Sequence, residues 1–185
     1  MKILAFSGSL RAASANSAIV WALGTLFPEH VSYELWEGLA TLPHFSPELD
    51  FNASPEAVLN FRRLLGAADA VVICTPEYAF GMPGVLKNAL DWLVSSGELD
   101  RKPVATISAS PLTSGGEKAH AWLNQTLTAL GARQLPDAKL IVPAVKGKLD
   151  DDGRIIDESL WTSLKQVATA VLRELESPVQ DVFDA

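Results

Sequence analysis

Short apolar runs alternate along this chain with stretches in which apolar residues recur every three or four positions. Runs of strand length lie at 2–7, 31–36, 70–75, 104–108 and 139–142. Those at 2–7, 70–75 and 104–108 are apolar or small throughout, as expected of strands covered on both faces. Helical spacing occupies 14–27, 55–66, 83–95, 115–131 and 157–175. In the fourth helix Ala119, Trp122, Leu123, Thr126, Leu127 and Leu130 share the predicted apolar face. In the fifth, Leu160, Leu164, Val167, Val171 and Leu175 do the same. Pro83 stands in the first turn of the third helix, where its missing N–H costs nothing.

Five strand–helix units predict an α/β fold: a flavodoxin-like, doubly wound, five-stranded parallel sheet of order 2-1-3-4-5 with helices on both faces. Ligands of such a sheet gather at the switch point beside strands 1 and 3. Residues 42–54, with Pro43 and Pro47, and 143–157, with Gly147 and Gly153, read as loops. The pattern predicts one domain over 1–176 and a C-terminal tail over 177–185.

The stretch from Ile3 to Ser17 carries the strongest chemistry. The first strand empties into a loop of hydroxyls, one glycine, Arg11 and Asn16, directly ahead of a helix. Orphan amides and the positive end of the helix dipole converge there and favour an anion. Ser9, Ser14, Asn16 and Ser17 add neutral donors, and Arg11 adds a planar charged fork suited to phosphate. Ser and Asn are also ordinary helix caps, but a cap has no use for Arg11. Neither the triphosphate-loop string nor the dinucleotide fingerprint is present. A terminal phosphate monoester fits better, which points to a mononucleotide such as FMN.

Two further loops follow strands 3 and 4. Thr75 to Gly84 holds two prolines, two glycines, Tyr78 and Phe80, a backbone rigid enough and open enough to receive a flat ring. A rigid loop whose aromatics merely pack would look the same. Ser108 to Gly116 ends in Gly115–Gly116, which permits close backbone approach to a carbonyl or hydroxyl; a flexible connection with Ser114 as helix cap is the plainer reading. In a doubly wound sheet all three loops lie at one carboxyl edge.

Composition narrows the field. The net charge is −7 over 185 residues and no Lys/Arg cluster exists, which argues against a nucleic-acid partner. The single cysteine, Cys74, excludes a disulfide framework or a cysteine-based metal centre and fits a reducing compartment. No signal peptide and no membrane-length apolar segment is evident, so the cytoplasm is the expected location. His30 and His120 have no clustered partners, and His44 reads as an exposed loop residue. Asp150 to Gly153 fails the spacing of a calcium loop and reads as a solvated turn.

The strings Gly8-Ser9-Leu10-Arg11 with Ser14 and Asn16, Pro76-Glu77-Tyr78, and Pro83 through Trp92 resemble the NADPH-dependent FMN reductase family, which includes quinone, chromate and azo-dye reductases. The resemblance implies a non-covalent FMN and NADPH or NADH as electron donor. It implies that Ser9, Arg11, Ser14, Asn16 and Ser17 hold the phosphate. Pro76, Glu77, Tyr78 and the residue at Ala79 line the isoalloxazine, with Ser110 and Gly115 assisting from the third loop. The family usually carries Asn where this chain has Ala79, and many relatives carry serine at Gly81. The implied activity is hydride transfer through flavin N5 to a small acceptor such as a quinone, with no catalytic side chain. The implied assembly is a homodimer or homotetramer, with Asp91–Trp92 toward a dimer contact or, for Trp92, in the core. A flavodoxin-type electron carrier and an FMN-free phosphoester-binding enzyme are the alternatives on the same fold. Arg11 counts against the first, because flavodoxins use a Thr-rich phosphate loop.

Overall fold

A computed structural model describes residues 1–52 and 54–177. Five parallel strands, β1 (Lys2–Ser7), β2 (Ser32–Leu35), β3 (Ala70–Thr75), β4 (Pro103–Ala109) and β5 (Arg133–Val142), form one sheet of order 2-1-3-4-5. The helices are α1 (Ala15–Gly24), α2 (Pro47–Asn52), α3 (Glu56–Gly66), α4 (Gly84–Asp91), α5 (Glu117–Ala129) and α6 (Glu158–Glu176). Single 3₁₀ turns occupy Gly38–Thr41 and Val145–Lys148.

β3 is buried at every position, which is why its sequence is uninterrupted Ala-Val-Val-Ile-Cys-Thr. One core packs α1 and α6 on Ile3, Ala5, Val72, Cys74, Ala105 and Ile107. The opposite core packs α3, α4 and α5 on Leu4, Phe6, Val71, Ile73 and Val104. Alternation along each strand therefore feeds two cores at once, and each fully buried Leu or Ile contributes about 1.5–3 kcal/mol. Trp92 is wholly buried in the second core and donates its indole N–H to the Pro43 carbonyl at 3.0 Å. Its family position toward a dimer contact is thus taken by core packing.

Three expectations need correction. The segment 42–54 is not all loop, since α2 occupies Pro47–Asn52. Arg62 from α3 ties that helix down: it pairs with Asp50 at 2.6 Å and donates to the Trp92 carbonyl. β5 begins at Arg133 rather than 139, and Pro136 sits inside it. The ladder runs Val104↔Gln134 and then Thr106↔Lys139, so an irregularity on β5 absorbs a residue that cannot donate. Trp122 is not on the buried face of α5. Ala119, His120, Leu123 and Leu127 are, while Trp122 is 58% exposed and leans across Gly81 in the loop after β3.

The expected tail begins at Ser177, and residues 178–185 lie outside the described residues. No helix among the described residues is long and apolar enough to cross a membrane.

Candidate functional site

Register brings the ends of β1, β3 and β4 side by side, with Ser7 opposite Cys74 and Thr75 opposite Ser108. The loops after these strands therefore share the carboxyl edge of the sheet, beside the switch point between β1 and β3.

The first loop opens on a cavity of about 280 Å³ lined by Ser7, Ser9, Arg11, Ser17, Trp36 and Glu37, among others. Arg11 is exposed, and among the described residues its guanidinium has no ion-pair or hydrogen-bond partner. Only its backbone N–H is engaged, to Ser9 Oγ at 3.3 Å. The cavity lies at the N-terminus of α1, whose first turn carries no acidic residue to cancel the dipole. An unpaired arginine, hydroxyls and an uncompensated helix end together suit a phosphate dianion, so these residues fit the terminal group of FMN.

The other first-loop residues turn inward. Ser14 is the N-cap of α1 and accepts from the Ser17 amide at 3.4 Å. Asn16 is only 5% exposed, accepts the Cys74 thiol at 3.1 Å and donates to the Ala109 carbonyl at 3.3 Å. Its carboxamide ties the start of α1 to the ends of β3 and β4. Burial pushes the Cys74 thiol well above its ordinary range, which keeps it a neutral donor to Asn16.

The loop after β3 is a tight hairpin. Tyr78 and Gly81 exchange backbone hydrogen bonds of 2.9 and 3.0 Å around Ala79 and Phe80. Both central residues are left-handed, with φ of 49° and 62°, the pattern of a type I′ turn that favours Asn-Gly. The Asn usual at position 79 in the family therefore suits a backbone conformation that Ala79 adopts only under strain. A Cβ on Gly81 would stand 3.3 Å from the Trp122 ring, so a serine there would crowd it. Pro76 is buried, whereas Tyr78 and Phe80 are exposed at the edge.

The half-buried Glu77 reaches the first turn of α5. Its Oε2 accepts from the amides of Lys118 at 2.9 Å and Ala119 at 3.0 Å. In the loop after β4, the Ser110 hydroxyl is buried and accepts from the Leu112 amide at 3.2 Å. The bare face of Gly115 meets the end of β5: a Cβ there would come within 2.5 Å of Ile141 Cγ2 and 2.9 Å of the Pro143 nitrogen. The glycine is thus required by packing on β5.

The candidate residues consequently fall into three groups, of which Ser14 and Asn16 are the inward-turned pair. Ser9, Arg11 and Ser17 line the cavity; Pro76, Glu77, Tyr78, Ala79, Ser110 and Gly115 form the neighbouring loop walls across the sheet edge. Sequence reasoning missed Trp36, Glu37 and Leu39, which close the cavity from the end of β2. The only signal for them was the predicted end of the second strand at Trp36, a hydrophobic ring that stacks on Phe61 at 4.1 Å. The singled-out minor residues stay outside. His120 is buried against Thr106 and Asn124, and burial lowers its pKa; Asp150 Oδ1 caps its own exposed turn. No metal-binding cluster of His, Cys, Asp or Glu occurs among the described residues.

A doubly wound α/β sheet of order 2-1-3-4-5, with three loops gathered at its carboxyl edge, defines the flavodoxin-like class of protein. Within that class the chain belongs to the NADPH-dependent FMN reductase family, whose sequence model matches residues 1–147. The NAD(P)H-dependent FMN reductase PA1204 of Pseudomonas aeruginosa is 34% identical over 173 residues, covering 92% of this chain and 93% of that protein. A quinone reductase of Pseudomonas putida is 33% identical over 159 residues, covering 82% and 83%. The structure of FerB, a flavoenzyme NAD(P)H:(acceptor) oxidoreductase from Paracoccus denitrificans, matches with a TM-score of 0.85 and 28% identity, covering 95% of this chain and 97% of that one.

Proposed function

We propose that this oxidoreductase binds FMN through the loop after β1 and passes electrons from NADH or NADPH to a small acceptor such as a quinone. The Arg11 guanidinium, without a partner among the described residues and lining the cavity at the N-terminus of α1, carries this reading. Arg11, Ser9 and Ser17 hold the phosphate; Ser14 and Asn16 shape the loop from behind. The backbone of Pro76 to Ala79 and the loop from Ser110 to Gly115 present a flat, rigid seat for the ring. FMN, when bound, supplies the hydride acceptor, and the protein contributes position and electrostatics. This reading calls for no acid or base from the protein. The net charge of −7 supports small-molecule partners rather than nucleic acid. Exposed Phe80 and Trp122 beside the site support a homodimer or homotetramer, to be checked by light scattering. The cytoplasm is the location that fits the buried, reduced Cys74.

The test is FMN titration followed by steady-state NADH and NADPH oxidation with benzoquinone. Wild type is expected to bind FMN and to turn over. Arg11→Ala removes a charge-assisted contact worth about 1.5–3 kcal/mol and should weaken FMN binding roughly ten- to hundredfold. Unchanged affinity in the variant would remove Arg11 from the phosphate site. A wild type that FMN does not saturate at micromolar levels would favour a phosphoester-binding enzyme, and binding without turnover a flavodoxin-type carrier.

A further inference from the structure

Helix α5 begins without a cap of its own. Its N-cap is Gly116, left-handed at φ +84° and without a side chain to offer the first-turn amides. An N-cap side chain ordinarily accepts from the second or third helical N–H. Here those two donors, Lys118 and Ala119, are both taken by Glu77 Oε2, at 2.9 and 3.0 Å, from a loop 41 residues earlier. A Cβ at Gly116 would stand only 3.5 Å from Glu77 Cβ, so the two loops touch where the cap is made. The contact bridges the loop after β3 to the loop after β4, the two walls assigned above to the flavin ring.

We propose that Glu77 is a positioning residue that sets the flavin seat by capping α5 from across the cleft, and that its charge offsets the positive end of α5 beside that seat. The inference rests on FMN binding as read in the preceding subsection. Two consequences separate. The hydrogen bonds fix the spacing of the walls, so their loss loosens FMN of either redox state. The charge disfavours added negative charge on the ring, so its loss favours the reduced cofactor.

The experiment compares wild type, Glu77→Ala and Glu77→Gln. Amide hydrogen exchange in the FMN-free protein reads the cap directly. In Glu77→Ala the Lys118 and Ala119 amides should exchange at least tenfold faster, while β1 and β3 keep their protection. With FMN added, Glu77→Ala should bind about tenfold more weakly. Glu77→Gln keeps an accepting oxygen, so its affinity for oxidised FMN should stay within about threefold of wild type. Its bound-FMN reduction potential should nevertheless move upward, a shift that a purely structural role would not produce. Should Glu77→Ala fail to fold, the bound-FMN potential of Glu77→Gln decides alone. Unaltered exchange at Lys118 and Ala119 in Glu77→Ala, or an unaltered potential in Glu77→Gln, overturns the proposal. A wild type that takes no FMN also overturns it, and is told apart because the exchange result is obtained without the cofactor.

Discussion

At the scale of single residues, the hairpin after β3 holds the least comfortable backbone beside the site. Ala79 and Phe80 are consecutive left-handed residues, each carrying a Cβ in a region that costs about 1–2 kcal/mol for ordinary side chains. Asn tolerates that region through its short polar side chain, and Gly tolerates it without penalty. Ala79→Asn should therefore stabilise the protein by about 0.5–1 kcal/mol, read as a rise in the urea midpoint at constant m-value. Phe80→Gly should do the same by relieving the second position. Destabilisation by Ala79→Asn would mean that the turn draws its geometry from contacts the left-handed backbone does not explain. The same scale marks the limit of reading residue types. Arg11 stands out in the sequence because a charged fork in a helix-start loop has few structural uses, and its place on the cavity wall agrees with that. Ser14, Asn16 and Glu77 were legible as polar residues near the site but not in their partners. A serine or carboxamide serves the protein's own amides as readily as a ligand, and composition does not say which way it turns.

At the scale of elements, the sequence pattern placed β1 and β3 to the residue because both are unbroken apolar runs bounded by polar or small residues. It lost the first half of β5, where Pro136 and Asp137 face outward and interrupt the run, and all of α2, whose six residues are shorter than two helical turns. Trp122 was misplaced because it borders the apolar face of α5; only the neighbouring loop, with Gly81 beneath the ring, decides its side. Helix ends were more legible where a side chain caps them. Asp157 caps α6, accepting from the Leu160 amide at 2.7 Å and pairing with Lys148 at 3.1 Å. The Ser159 hydroxyl, the Leu160 amide and Lys148 hold its carboxyl down at about 2. Its unfolded value is about 3.9. The folded pKa is depressed, so the ionised carboxylate contributes stability above about pH 4 and loses it as pH falls toward 2. Asp157→Asn keeps a capping oxygen but no charge. The stability gap between wild type and variant should be constant from pH 7 to 5 and then close between pH 4 and 2. A gap that persists unchanged at pH 2 would show that the carboxylate's charge is irrelevant to the cap.

At the scale of the whole molecule, the two cores meet on β3, whose Cys74, the sole thiol of the chain, faces the core under α1 and α6. It is fully buried, hydrogen-bonded to Asn16 and held neutral by burial, so it cannot react with a thiol reagent in the folded state. Its strand is the centre of the sheet, with β1 on one side and β4 on the other, so exposing it requires the sheet to come apart. Labelling of Cys74 under slow-labelling conditions thus reports the global opening equilibrium. FMN binds the folded protein and not the unfolded chain, and at a hundredfold excess over its dissociation constant it adds about 2.7 kcal/mol to stability. Saturating FMN should therefore slow Cys74 labelling about a hundredfold, and Arg11→Ala should lose most of that protection at the same FMN concentration. If labelling is fast in the apo protein and indifferent to FMN, β3 opens locally. The carboxyl edge would then be a separately unfolding unit, and the site would be assembled on a frame that moves without the rest of the fold.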